Sequence, residues 1–218
     1  MDKNEQLVMV VERNSLLGND SFQGFVPAAD ADYVSRILGG FKFMKRGEAE
    51  IDPKHKQPIS YGLIVNPKLG KVFAYKRSSK DKEYSEKRLH GKYSLGVGGH
   101  VEQSDSENPL SESLLREVEE EIGLSKDQIT NARVLGYIND DSNPVGEVHF
   151  GLLYLIETSA ISISPKSEMM HGELMDLGEV EELMGNPDVD MENWSRIAFG
   201  QLKEVLSSAP DEIARKNF

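Results

Sequence analysis

The chain has 218 residues, a formal net charge of -12, 38% hydrophobic residues and no cysteine. Its length predicts one elaborated domain and its apolar content predicts a folded chain. The charge argues against a broad grip on DNA or RNA backbone, and the missing cysteines exclude disulfides, thiolate nucleophiles and thiolate zinc sites.

The N-terminal Met-Asp-Lys-Asn-Glu-Gln has no apolar core of a signal peptide, and the longest strongly apolar run, residues 150–156, is too short to span a bilayer. A cytoplasmic address without a membrane partner is therefore expected. In chain order, residues 7–11 form a β-prone run, and 28–38 predict a helix ended by Gly39-Gly40. Residues 41–58 are mixed and charged and predict a connecting segment with weak strand character. Runs at 59–65 and 71–76 flank Asn66-Pro67-Lys68-Leu69-Gly70, which is hairpin chemistry.

Lys76 and Arg77 end the second of these strands and are candidate phosphate-binding residues, because an overall acidic chain needs local positive charge to receive an anion. A charged loop at 78–92 follows, with Lys80, Lys82, Lys87, Arg88 and Lys92 interleaved among Asp81, Glu83 and Glu86, a pattern of a solvated loop rather than a nucleic-acid patch. In the run 93–101, Gly96, Gly98 and Gly99 indicate backbone that bends or approaches something closely, and His100 after them is a candidate contact for phosphate or base.

The best-marked element is a helix over 109–122, with Asn108 as cap, Pro109 in the first turn and Gly123 as the stop. Helical spacing puts Leu110, Leu114, Leu115, Val118 and Ile122 on the core side. Glu117, Glu120 and Glu121 gather beside that stripe, whereas Glu112 and Glu119 fall on the far side. Such like-charge neighbours cost an isolated helix about 0.2–0.5 kcal/mol per pair. A hard divalent cation such as Mg²⁺, which prefers oxygen ligands, offsets that repulsion directly, and a solvated acidic face is the plain alternative.

Beyond this helix, strands are predicted at 133–138 and 147–156 and amphipathic helices at 177–184 and 191–206. Period-two alternation in Glu147-Val148-His149-Phe150 puts Glu147 and His149 on one strand face, which makes Glu147 a candidate site acid. Trp194, with Met191, Ile197, Ala198 and Val205, fits the packing face of a helix.

Residues 116–124, Arg-Glu-Val-Glu-Glu-Glu-Ile-Gly-Leu, resemble the second half of the Nudix signature, Arg-Glu-aliphatic-any-Glu-Glu-any-Gly-aliphatic, at every fixed position. The first half departs from the pattern: a glutamate is expected where Asn108 stands, and a glycine where Glu102 stands. A loop expanded by three residues makes Gly99 the signature glycine and leaves Asp105 or Glu107 in place of the first glutamate. The resemblance covers about residues 58–160, and the flanks bear a looser likeness to a branch described as predicted phosphoesterases.

The resemblance implies an α+β fold, an α/β/α sandwich with a mixed sheet flanked by helices. It divides the chain into an N-terminal extension, 1–57, packed on a Nudix domain, 58–218, with C-terminal helices. It also implies hydrolysis of a diphosphate linking a nucleoside or other group to a second moiety, with Mg²⁺ or Mn²⁺. Glu120, Glu121 and the Gly99 carbonyl would hold metal, and Glu117 would join them or accept a proton from water. Arg116 would orient the acids, and Glu147 is the rival base. The expected partner is a small nucleotide or other diphosphate, with no nucleic acid, and a homodimer is among the assemblies the resemblance implies. Two other readings belong to the same fold. An isopentenyl diphosphate isomerase needs a cysteine that is absent, and a non-catalytic sensor or interaction domain commonly loses carboxylates that are kept here.

Overall fold

A computed structural model describes residues 2–18, 21–78, 91–105, 107–166 and 169–212. Most of the charged loop, including Lys80, Asp81, Lys82, Glu83, Glu86, Lys87 and Arg88, lies outside the described residues.

The chain begins with β1 (Leu7–Glu12), α1 (Arg13–Leu17) and β2 (Gly24–Pro27). Next come α2 (Tyr33–Gly40), β3 (Phe41–Lys45) and α3 (Arg46–Ala49). The segment 41–58 is thus more ordered than its charge pattern suggests. β3 pairs antiparallel with β1, Leu7 opposite Lys45 through Val11 opposite Phe41, and the mixed segment is a strand because that partner is available. Helix α2 starts at Tyr33 rather than 28, where the Asp32 carboxylate accepts from the Ser35 N–H and caps it.

The hairpin follows as β4 (His55–Asn66) and β5 (Lys71–Arg77). The Asn66 side chain accepts from the N–H groups of Lys68 and Leu69, and Gly70 supplies the left-handed residue of the turn at φ 66°. Short strands β6 (Tyr93–Ser94) and β7 (Gly96–Val97) precede α4 (Pro109–Ile122). The helix bounds are those the capping signals predict. Then come β8 (Ile129–Asn139), α5 (Pro144–Val148), β9 (His149–Thr158), β10 (Met169–Asp176), α6 (Leu177–Gly185) and α7 (Asn193–Glu212).

The sheet runs β10-β5-β4-β9-β8-β2, with β1, β3, β6 and β7 joined off this path. A mixed sheet flanked by helices is the α+β architecture expected. Buried side chains on both faces of β4 and β9 mark them as central strands, which explains the nearly continuous apolar run of β9 at residues 150–156.

Two compact units make up the chain. The first comprises residues 1–62, 98–117 and 134–154. Its core gathers Val8, Met9, Val10 and Val11 of β1 with Leu16, Leu17, Ile37 and Phe150, all fully buried or nearly so. Tyr33 packs edge-on to Tyr137 at 5.0 Å and at 5.2 Å from Phe150, giving the unit an aromatic centre.

Lys56 is fully buried in this unit, and its ammonium donates to Asp141 Oδ1 at 2.7 Å, the Gly146 carbonyl at 2.8 Å and the His149 carbonyl at 3.1 Å. Arg13 completes the group by pairing with the other Asp141 oxygen and donating to the Glu147 carbonyl at 3.1 Å. All three ammonium protons thus find acceptors, which is how a lysine tolerates burial, and segment 141–149 is fastened to β4.

The second unit comprises residues 63–97, 118–133 and 155–218. Here β10 pairs antiparallel along β5, Asp176 opposite Lys71. Its buried residues include Val72, Phe73, Tyr75, Val180, Ala198, Phe199 and Leu202. Trp194 is half-buried on α7, with Met191 and Ala198 buried beside it in sequence. No helix among the described residues is long and apolar enough to cross a membrane.

Candidate active site

The glycine run before α4 is required by close packing. A side chain at Gly98, where φ is 149°, would put its Cβ 1.8 Å from the Ser60 carbonyl oxygen of β4. The adjacent Gly99 carbonyl accepts from the Ser60 N–H at 3.0 Å and keeps a second lone pair. At Gly99 the place of a Cβ lies 2.6 Å from Oε1 and 2.9 Å from Oε2 of Glu117, so that carboxylate rests on bare glycine backbone. The sequence spacing between the glycines and α4 thereby becomes contact between backbone and acid.

Arg116 ties the loop to the helix. It donates from Nε and one terminal nitrogen to the two oxygens of Asp105 at 3.1 Å each, to Glu117 Oε1 at 2.7 Å and to the His100 carbonyl at 3.0 Å, with Glu102 at 3.4 Å. Burial disfavours its cation, but the Asp105 bonds and the charges of Glu117 and Glu102 outweigh that and raise its pKa. Asp105 is 6% exposed and also accepts from the Glu102 N–H at 2.8 Å, whereas Glu107 is exposed. Of the two acids considered for the first glutamate position, Asp105 is the one that engages Arg116.

Leu110, Leu114, Val118 and Ile122 are buried as the helical stripe requires, and Leu115 is half-buried at its edge. Glu117 is partly buried; in the second unit Glu120 is exposed and Glu121 half-exposed. Glu119 is exposed, and its carbonyl accepts from Lys166 Nζ at 2.6 Å and from the Gly123 N–H at 3.0 Å. With the Glu121 carbonyl accepting from the Lys166 N–H at 2.8 Å, carbonyls at the helix end find donors in Gly123 and Lys166.

Arg77 and Lys76, also in the second unit, stand differently from the expectation of cations awaiting phosphate. Arg77 is 8% exposed and ion-pairs with Glu192, whose other oxygen accepts from Ser94 Oγ at 2.8 Å. The strand-end arginine is consumed in a buried link between β5 and the start of α7, and no sequence pattern near Arg77 announces Glu192. Lys76 is half-buried and places its ammonium over the Tyr93 ring, 5.5 Å from its centre.

Glu147 does not begin a strand. The Asn143 side chain accepts from the N–H groups of Val145 and Gly146 and nucleates α5, so Glu147 sits exposed on a helical turn and β9 starts at His149. The expected shared face of Glu147 and His149 is therefore corrected: only His149 turns inward, at 5% exposure. Its Nε2 lies 3.3 Å from His100 Nε2, and Glu50 Oε1 is 3.6 Å from His100 and 3.7 Å from His149. Burial first, then the charges of Arg46, His149, Arg116 and Lys3, hold the His100 pKa well below the ordinary histidine value and keep its ring neutral. Glu50, at the end of α3, lies in the segment whose pattern carried no functional signal.

The donor chemistry along α4 and its loop fits a hard divalent cation. It consists of carboxylate oxygens and a backbone carbonyl, and the absence of a side chain at Gly99 leaves the Glu117 carboxylate seated beside that carbonyl's residue.

Comparison with known proteins identifies the family. A profile of the NUDIX domain matches residues 56–194. Protein YmaB of Bacillus subtilis (strain 168) is 33% identical over 197 residues, spanning 84% of this chain and 91% of that protein. The solved structure of Tm1382, a protein provisionally assigned to the Nudix hydrolases, is 30% identical with a TM-score of 0.72, covering 92% of this chain and 99% of that one. The NUDIX domain of Shewanella oneidensis NrtR, solved with ADP ribose, shares the fold at 13% identity and a TM-score of 0.53, over 69% of this chain and 88% of that one. The chain belongs to the NUDIX domain family. Its activity is that class's pyrophosphohydrolysis, the splitting of a phosphoric anhydride by water.

Proposed function

We propose that this chain hydrolyses the diphosphate of a small molecule in which a nucleoside diphosphate is joined to a second moiety, with Mg²⁺ or Mn²⁺ as cofactor. The observation that carries this reading is the seating of the Glu117 carboxylate on Gly99, with Arg116 held by Asp105 on its other side. Glu120, Glu121 and the Gly99 carbonyl are the proposed metal donors, and periodicity along α4 puts Glu117 beside them on the same helical edge. Bound there, a divalent cation lowers the pKa of a water ligand and neutralises charge gathering on the leaving phosphate.

Glu117 accepts the proton of the attacking water. Arg116 steers Glu117 by its 2.7 Å hydrogen bond and keeps the carboxylate from turning away from the loop. Glu147 is the alternative base, and Lys76 is the proposed contact for substrate, because Arg77 is held by Glu192 and His100 turns its ring to His149 and Glu50. Residues 1–57 are proposed as an extension built onto the domain at 58–218.

Relatives of the fold support a nucleotide-type substrate, since the NrtR domain was solved with ADP ribose. The test is a panel of ADP ribose, NADH, nucleotide sugars, dinucleoside polyphosphates and nucleoside triphosphates, incubated with Mg²⁺ or Mn²⁺ and resolved for nucleotide and phosphate products. Cleavage of at least one diphosphate-linked member, abolished by EDTA, is expected. A panel left intact, or cleaved equally with EDTA, contradicts the proposal. Glu147→Gln alongside Glu117→Gln assigns the base: the account expects the second to lose activity and the first to keep it.

A further inference from the structure

We propose that Glu50, His100 and His149 form a binding site for a zinc-class divalent cation, chemically separate from the all-oxygen donors of α4. One donor atom from each lies within 4.8 Å of the others. The set of two imidazoles and a carboxylate is a recurrent zinc ligand set, whereas Mg²⁺ takes oxygen ligands.

The spacing decides between coordination geometries. The three donor atoms form a triangle with edges of 3.3, 3.6 and 3.7 Å. A tetrahedral ion with bonds of about 2.0–2.1 Å requires edges of about 3.3–3.4 Å. The observed triangle closes onto such an ion with shifts of a few tenths of an ångström, leaving a fourth position for water.

The tautomer is set by the neighbouring backbone. His149 Nδ1 lies 2.7 Å from the Val145 carbonyl, which can only accept, so Nδ1 carries the proton and a neutral ring turns a lone pair at Nε2 towards His100 and Glu50. This is the arrangement in which a second-sphere carbonyl orients a metal-binding histidine. The side chains are 12%, 6% and 21% exposed for His100, His149 and Glu50, so Glu50 forms the solvent side of the site. Arg46 is the competitor, because its Nε lies 3.3 Å from the same Glu50 oxygen.

The three ligands stand about fifty residues apart in sequence, on α3's end, the glycine loop and β9. A bound ion thus fastens the N-terminal segment to the loop that carries Gly99, and stabilises the fold by mass action.

The experiment uses the full-length, untagged protein stripped with EDTA and dialysed, with Zn²⁺ titrated against a chromophoric chelator and Co²⁺ added separately as a spectroscopic probe. One equivalent of Zn²⁺ is expected, unaffected by millimolar Mg²⁺, with visible Co²⁺ absorption of a four-coordinate site. His149→Gln and Glu50→Gln are each expected to weaken Zn²⁺ binding by more than about 100-fold, beyond the loss typical of second-sphere changes. Arg46→Met is expected to strengthen binding by removing the competitor.

Glu120→Gln is expected to leave the zinc equivalent intact, which separates this inference from the proposed catalytic site. Circular dichroism and melting of the metal-free variants control for folding, and if His149→Gln does not fold, the partly exposed Glu50→Gln decides. Absence of tight Zn²⁺ binding, binding unchanged in these variants, or loss in Glu120→Gln instead overturns the assignment and leaves the histidines as a hydrogen-bonded pair.

Discussion

Adding one methyl group at Gly99 or at Gly98 should damage different properties of the protein. At Gly99 the new Cβ would lie 2.6 Å from Glu117 Oε1 and 2.7 Å from Cδ, well inside van der Waals contact. The obstacle is the end of a long side chain, so the carboxylate moves by roughly half an ångström to one ångström and the fold survives at a cost of about 1 kcal/mol. Displacements of that order in a reacting group cost about 100-fold in rate. At Gly98 the new Cβ would meet the Ser60 carbonyl oxygen at 1.8 Å, and φ of 149° is itself unfavourable for a side chain, so backbone must give way. The assay is turnover of a cleaved substrate beside thermal melting. Gly99→Ala should melt within a few degrees of wild type but turn over about 10- to 100-fold more slowly, while Gly98→Ala should melt far lower. Full activity in Gly99→Ala would refute the claim that its bare backbone seats the Glu117 carboxylate.

Two further outcomes concern the group around Lys56. Lys56→Met leaves the Gly146 and His149 carbonyls without the ammonium and Asp141 with only Arg13 and the Asn139 amide, a loss of about 2–4 kcal/mol, read as a lowered midpoint in urea. Burial raises the Asp141 pKa, but hydrogen bonds from Lys56 and Arg13 outweigh it and hold the value below 3.8. Stabilisation from that carboxylate is therefore complete above the unfolded-state value and disappears as pH falls through the lower folded value. Asp141→Asn should flatten the acid limb of stability between pH 5 and 2, and an unchanged limb would contradict this ion pair.

How much of this could be read from the sequence followed how local each signal was. Helix α4 was legible to the residue because Asn108, Pro109 and Gly123 punctuate it, and its buried stripe follows from spacing alone. The hairpin at Asn66–Gly70 was equally local. Strand β3 shows only as weak strand character in the sequence because its side chains are exposed or half-buried and its stability comes from pairing with β1. Glu147 was misplaced because alternation in four residues mimics a strand, whereas the Asn143 cap decides for a helical turn. Arg77 read as an available cation because Glu192 lies 115 residues away in sequence, and Glu50 was silent for the same reason: its partners are brought together only by the fold. The acids of α4 and Arg116 beside them are written in a single helix, whereas the Gly99 seat of Glu117 and the Asp105 partner of Arg116 come from the loop before it.

Neighbouring glutamates on α4 provide the most direct test of the central claim. Glu119 and Glu120 are both exposed and adjacent, so their replacement by Gln changes charge identically and disturbs packing little. Helical geometry assigns Glu120 to the edge shared with Glu117 and Glu121 and Glu119 to the far side. With saturating Mg²⁺ and a cleaved substrate, Glu120→Gln is expected to lower kcat by about 100-fold or more and Glu119→Gln to leave it within about twofold, consistent with loss of charge stabilisation in the transition state. Equal activity in the two variants, whether both fast or both slow, would contradict a working face built from Glu117, Glu120 and Glu121.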